Sequence, residues 1–190
     1  MGKVVVSISI TPDGFVDGQN VIVDAGLFDF VQSLMADAEF VAFGRNTFEM
    51  FQERWPPRLK DENVPDWMRE MARSLHNIPK VVFSSTLKNT TWNNSTTIDQ
   101  LTLDYIKTFK QNRKGTLLTF GSIGLIESLT KMNVVDDYYF NVMPVLPGKG
   151  DVRFFSKLNL SATLPLKYVA SQGLASGAHV IHYKNEFAIR

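Results

Sequence analysis

The 190-residue chain carries 20 Lys and Arg against 19 Asp and Glu, a formal net charge of +1, with 44% hydrophobic and 21% charged residues and no Cys. That balance creates no field to gather nucleic acid or an anionic membrane, so any ligand must be held by local chemistry. The missing Cys excludes a disulfide framework, a thiolate metal site and a cysteine nucleophile, and the length fits one domain over residues 1–190.

The opening MGKVVVSISI is broken by Ser7 and Ser9 too early for a signal segment, and no other stretch is long and apolar enough for a membrane span. A cytoplasmic protein without membrane or nucleic-acid partners is expected. Residues 3–10 are β-branched and run into the turn TPDG, predicting a first strand. After Asp24, a candidate cap, Leu27, Phe28, Val31, Leu34, Met35 and Ala38 recur at helical steps, and EFVAFG then predicts a strand ending at Gly44. Residues 45–77 hold Pro56, Pro57 and Pro65 and set Trp67, Met71 and Leu75 on one face; a short helix, a loop and a second helix are expected.

PKVVFSS predicts the third strand, followed by a polar, exposed loop over 87–98 with a brief extended piece. Thr102 can cap a helix presenting Leu103, Ile106 and Phe109, with Gly115 at its end. TLLTF is the next strand, and Leu125, Ile126, Leu129 and Met132 form a face of the helix after it. Beyond Asp136 the pattern is of strands alone: YYFNVMPVL, LKYVA and HVIHY. Alternation followed by strands predicts an α/β fold, its mostly parallel sheet covered on both faces and ending in an antiparallel edge. Ligands in such sheets sit at the carboxyl ends of the strands.

Three strands end in small hydrogen-bonding residues or an arginine: FGRNT, SST, and GSIG after TLLTF. Helix amino termini direct unpaired N–H groups to the same edge, so together these turns describe a basic, hydroxyl-rich rim. Gly121 and Gly124 alone are ordinary connection chemistry, since the G-x-G-x-x-G of a classical dinucleotide fold is missing. Nucleophile elbow, Walker loop and paired-carboxylate patterns are missing too, which removes the usual anchors of hydrolases and NTPases. His179 and His182, three apart on a predicted strand, face opposite sides and do not share a metal. Phe48, Phe51, Trp55 and Trp67 suit either an aromatic ligand surface or core packing.

In order, VVVSISITPDGFVDG, FGRNTFEMF, IPKVVFSSTL, LLTFGSIGLIESL and VVDDYYFNVMPVLPGKGDVRFF resemble the dihydrofolate-reductase-like superfamily. The resemblance covers almost the whole chain and is nearest to the reductase domain of the bifunctional riboflavin-biosynthesis deaminase/reductase and its stand-alone relatives. It implies a dihydrofolate-reductase-like three-layer α/β/α sandwich with a mixed, mostly parallel sheet and antiparallel carboxyl-terminal strands. It also implies a reductase that takes hydride from NADPH and delivers it to a small heterocyclic C=N or C=O substrate, similar to 5-amino-6-(5-phosphoribosylamino)uracil reductase.

By that resemblance Gly44, Arg45 and Thr47 meet the adenosine-side phosphates, and Ser84, Ser85 and Thr86 reach the 2′-phosphate region. Gly121, Ser122, Ile123, Gly124 and Leu125 hold the pyrophosphate, and Ile10, Asp13, Gly14 and Val16 border the nicotinamide. Asp13 is the candidate for substrate contact or proton delivery, with stabilisation of its own turn as the alternative. Ser85 stands where many relatives carry Arg. Dihydrofolate reductases hold the pterin through an acid in the first helix; counting about seventeen residues back from Gly44 gives Leu27 and Phe28, and Asp29 or Asp24 fits only in a shifted alignment. Dihydrofolate reduction and a non-catalytic nucleotide- or flavin-binding module are the alternatives. Relatives often pair, so a homodimer is expected.

Overall fold

The computed structural model describes residues 1–88 and 90–190. Among these the elements run β1 (Lys3–Ile10), α1 (Ala25–Ala36), β2 (Ala38–Gly44), α2 (Arg45–Arg58), α3 (Asp66–Asn77), β3 (Lys80–Phe83), β4 (Ser95–Ile98), α4 (Leu103–Asn112), β5 (Thr116–Phe120), α5 (Ile123–Lys131), β6 (Asp137–Val142), β7 (Lys167–Gly173) and β8 (His179–Lys184). The strands form one sheet in the order β4-β3-β2-β5-β1-β6-β8-β7. β1 to β6 are mutually parallel, and β8 runs antiparallel to both β6 and β7.

The alternation of β1 sets the layers. Val4, Val6 and Ile8 meet Ile106 and Phe109 of α4 and Leu125, Ile126 and Leu129 of α5. Val5 faces the other way, into the layer of α1, α2 and α3 with Phe28, Val31, Phe48, Met71 and Leu75. The central strands are therefore buried on both faces, which is why they read as unbroken apolar runs; each such side chain adds about 2 kcal/mol of burial. Both expected caps form: Asp24 accepts from Leu27 N at 2.8 Å and Thr102 from Tyr105 N at 3.1 Å.

Several boundaries differ from the pattern. α1 stops at Ala36, so Ala38 opens β2. α2 is a 14-residue helix that runs through Pro56 and Pro57 in its last turn, forgoing the N–H bonds that would return to Gln52 and Glu53. β3 stops at Phe83, leaving Ser84 and Ser85 in the following turn, and the extended piece of the polar loop is β4, the outer strand beside β3. α4 ends at Asn112, and Gly115 answers to close approach instead: a Cβ there would lie 2.6 Å from Glu39 Cγ.

Two lysines are fully buried away from the carboxyl edge. Lys110 Nζ pairs with Asp136 Oδ2 at 2.7 Å and donates to the Ile189 carbonyl. Lys80, 1% exposed, donates to the carbonyls of Leu75, His76 and Ile78 at the end of α3 and lies over the Trp92 ring. Burial pushes its pKa down to about 8. The folded state thus sheds this proton before the unfolded chain does, and the contribution of Lys80 to stability rises with pH between about 8 and 10.5. Lys80→Met keeps the stem but strands the carbonyls; urea unfolding should show a loss of about 2 kcal/mol.

Candidate functional site

The three strand-end turns meet in one cleft of about 480 Å³ at the carboxyl edge of the sheet. Gly44 N donates to Ser122 Oγ at 3.1 Å, and Thr47 Oγ1 donates to the Gly121 carbonyl at 3.3 Å, which ties the β2–α2 turn to the β5–α5 turn. Gly121 sits at φ 70°, a left-handed conformation that a side chain resists. Arg45 Nη1 donates to Thr86 Oγ1 at 3.1 Å. Ser84 Oγ accepts from Thr86 N and Leu87 N, closing the third turn on itself. Ser84 and Ser85 line the cleft directly, whereas Thr86 acts on it through Arg45. Ile123, Gly124 and Leu125 line it from the first turn of α5.

Two helix starts at the cleft are without a side-chain cap. α1 and α4 have capping side chains, whereas α2, preceded by Gly44, α3, preceded by Pro65, and α5, preceded by Ser122, have no side-chain cap bond; of these three, α2 and α5 open onto the cleft. Ser122 has the hydroxyl to cap α5 but places it, almost wholly buried, on Gly44 N. The first-turn N–H groups of two helices are left toward the cleft with their dipole ends, the arrangement that attracts an anion. A Cβ at Gly44 or Gly124 would meet nothing within 4 Å, so both open onto free space. Arg45 has no carboxylate partner among the described residues, and Asp99 is the one acid in the cleft lining.

A second cavity, about 380 Å³, lies under α1, α2 and α3. Leu27, Phe28 and Val31 form one wall, Met50, Phe51 and Trp55 a second, and Met68 and Met71 a third. Its floor is polar: Ser7 and Ser9 of β1 and Asn141 of β6. Arg54 and Arg58 stand on the α2 side, one turn apart, and Arg58 lies over the Trp55 ring. Phe120 and Gly121 line this cavity and Ser122 lines the cleft, so the two spaces adjoin across the β5–α5 turn.

The nominated residues fall unevenly on these spaces. Val16 lines the second cavity, whereas Ile10 ends β1 paired with Val142 and lines neither space; its neighbours Ile8 and Ser9 do. Asp13 accepts from Thr11 Oγ1 at 2.6 Å and from Gly148 N at 3.0 Å. The Thr11 hydroxyl chiefly holds its carboxyl below the ordinary range, and the carboxylate is spent on joining two turns. Gly14, at φ 87°, completes the first of these turns. Asp29 is exposed on α1, turned about 100° from Phe28 by the helical step; Leu27 and Phe28, the positions reached by counting back from Gly44, line the cavity. Phe51 and Trp55 do line the cavity, while Phe48 is core and Trp67 meets Phe28 edge-on. Asn141, Ser7 and Ser9 escaped the sequence reading. Their signal was the pair of serines interrupting an apolar strand.

Sheet order, helices on both faces and a cleft at the carboxyl edge define an α/β protein of the dihydrofolate-reductase-like fold. Residues 2–180 match the RibD C-terminal domain family, and the chain belongs to that family, which is reductase-like. It is 26% identical over 188 residues to the uncharacterized protein YyaP of Bacillus subtilis (strain 168), covering 95% of this chain and 94% of YyaP. It is similar in fold to a putative riboflavin biosynthesis protein from Shewanella sp. PV-4, with TM-score 0.70 and 19% identity over 97% of this chain and 99% of that one. It is also similar to dihydrofolate reductase from Enterococcus faecalis complexed with NADP(H) and RAB-propyl, with TM-score 0.60 and 14% identity over 97% and 96% of the two chains. Among the described residues no helix is long and apolar enough to cross a membrane.

Proposed function

We propose that the chain is an NADPH-dependent oxidoreductase that reduces a C=N or C=O bond of a small heterocycle bearing an anionic substituent. The observation that carries this reading is the pair of uncapped helix ends at the cleft, adjoining an apolar cavity across the Gly121 turn. The amides of Ile123, Gly124 and Leu125 would seat the pyrophosphate, and Arg45 with Ser84 and Ser85 would hold the 2′-phosphate, for which a charged fork and hydroxyl donors are suited. The nicotinamide would pass Gly121 to lie beside Val16. NADPH supplies the hydride when bound; the protein's own part is to hold the ring face against the substrate and keep bulk water from it.

The cavity supports the substrate class. Its walls are apolar and suit a flat ring, and Arg54 and Arg58 have no acidic partner among the described residues. Two like charges one turn apart weaken a helix, and an anionic group such as a ribose phosphate would relieve them. The same walls disfavour dihydrofolate reduction, because no carboxylate among the described residues lines the cavity. A cytoplasmic homodimer goes with this reading: β7 is an outer strand exposed at all seven residues, where a second copy would pair. Sedimentation velocity reads that directly.

Titration with NADPH and NADH tests the cofactor. Arg45→Ala should lower NADPH affinity about tenfold and leave NADH affinity within about twofold, the pattern of a lost 2′-phosphate contact. Equal losses would remove Arg45 from that role, and failure of the unaltered chain to bind NADPH would overturn the reading. NADPH oxidation against dihydrofolate, the phosphoribosylaminouracil and simple ketones then identifies the acceptor.

A further inference from the structure

The floor of the second cavity contains a polar group whose bonding is incomplete. Asn141 is 3% exposed and Ser7 1%. Asn141 Nδ2 donates to Ser7 Oγ at 3.1 Å, and Asn141 Oδ1 has no donor. Both side chains stand on the sheet face that carries Val5 and Tyr139, with Asn141 in register with Ser9 on the neighbouring strand. Along this face β1 therefore changes from valine to serine where the cavity begins. A buried amide oxygen without a donor weakens the fold, and an apolar residue of the same shape would not carry that cost.

Resting on the reductase reading, we propose that Asn141, oriented by Ser7, recognises the substrate ring, accepting a hydrogen bond from a ring or exocyclic N–H of a lactam- or amino-bearing heterocycle. Ser7 fixes the amide from one side. The terminal torsion of Asn is broad, so a modest rotation turns Oδ1 into the cavity that Asn141 already lines. The site then reads both ends of its ligand: N–H on the sheet floor, negative charge at Arg54 and Arg58 on α2. It selects against N-alkylated rings, since a methyl in place of the hydrogen leaves the amide unpaired and adds bulk.

Lumazine and 1,3-dimethyllumazine test this, because they share a fluorescent bicyclic ring and differ in the ring N–H groups. The unaltered protein should bind lumazine about tenfold tighter than the dimethyl compound, the size of one such hydrogen bond. Asn141→Leu should bind the two equally and keep its NADPH affinity; because it strands the buried Ser7 hydroxyl, the stability comparison uses Asn141→Leu with Ser7→Ala, which removes both partners and should melt no lower than the unaltered protein. Ser7→Ala should reduce the preference while leaving both compounds bound. Equal binding of the two compounds by the unaltered protein, binding of neither, or a preference that survives Asn141→Leu would each overturn the proposal. The NADPH titration run on the same samples separates the two ideas: its failure overturns the reductase reading, whereas the lumazine arms speak only to Asn141.

Discussion

Asp136→Asn is expected to lower stability by about 3–5 kcal/mol, the cost of leaving one partner of a buried ion pair uncompensated. For a chain of this length that is roughly 6–20 °C in melting temperature. The Lys110 side chain is 0% exposed and its Nζ lies 2.7 Å from Asp136 Oδ2, which also accepts from Val4 N at 2.8 Å. Asparagine can keep the Val4 bond but cannot neutralise the ammonium. Lys110→Met in the same chain should recover part of the loss, because no bare charge then remains inside; a double-mutant cycle measures the coupling. A single-variant loss under about 1 kcal/mol would show the pair to be loosely held.

The pH dependence follows from the same contact. Burial lowers the pKa of Lys110 from its ordinary 10.5, and the Asp136 carboxylate opposes that shift. Without the carboxylate the folded-state value falls further. Between that value and 10.5 the unfolded chain holds the proton and the folded one does not, so stability rises with pH across the window. The deficit of Asp136→Asn should therefore shrink as pH is raised from neutral toward 10.5.

Gly121→Val is expected to reduce NADPH affinity roughly 100-fold, about 2.7 kcal/mol. A β-branched residue is a marked outlier at positive φ, costing about 1–2 kcal/mol unless the turn moves. Movement would pull the Gly121 carbonyl from Thr47 and Ser122 Oγ from Gly44 N, misdirecting the α5 amides. Gly124→Ala is the companion test. Its methyl meets no protein atom within 4 Å, and alanine is the better helix former, so the fold should be unchanged or up to about 1 kcal/mol more stable. A pyrophosphate seated on those amides would collide with the methyl, and affinity should drop about tenfold. Wild-type NADPH affinity in Gly124→Ala would move the pyrophosphate off α5.

Much of the fold was legible because its determinants are local. Asp24 and Thr102 cap helices as their positions foretold, and the apolar runs of β1, β2 and β5 are the strands buried on both faces. The rim was legible as three turns, each weak alone, whose adjacency depends on parallel order. β4 was faint because Ser95, Thr96 and Thr97 carry no apolar period at the sheet edge. The end of α2 was obscured by Pro56 and Pro57, which usually stop a helix but here lie inside its last turn. The second cavity was the least legible. Asn141 belongs to it only because β6 pairs with β1 across more than a hundred residues of chain, and a single sequence does not print that register.

The position of β1 also bears on how the chain is made. β1 is made before both of its neighbours in the sheet, β5, beginning at Thr116, and β6, ending at Val142. At roughly 5–20 residues per second of synthesis, KVVVSISI waits on the order of 6–25 s before either flank exists. It is a β-branched, nearly uncharged segment throughout that interval, the composition that pairs with other nascent chains. Slowed translation or overexpression should therefore cost this protein more than one whose early strand closes a hairpin.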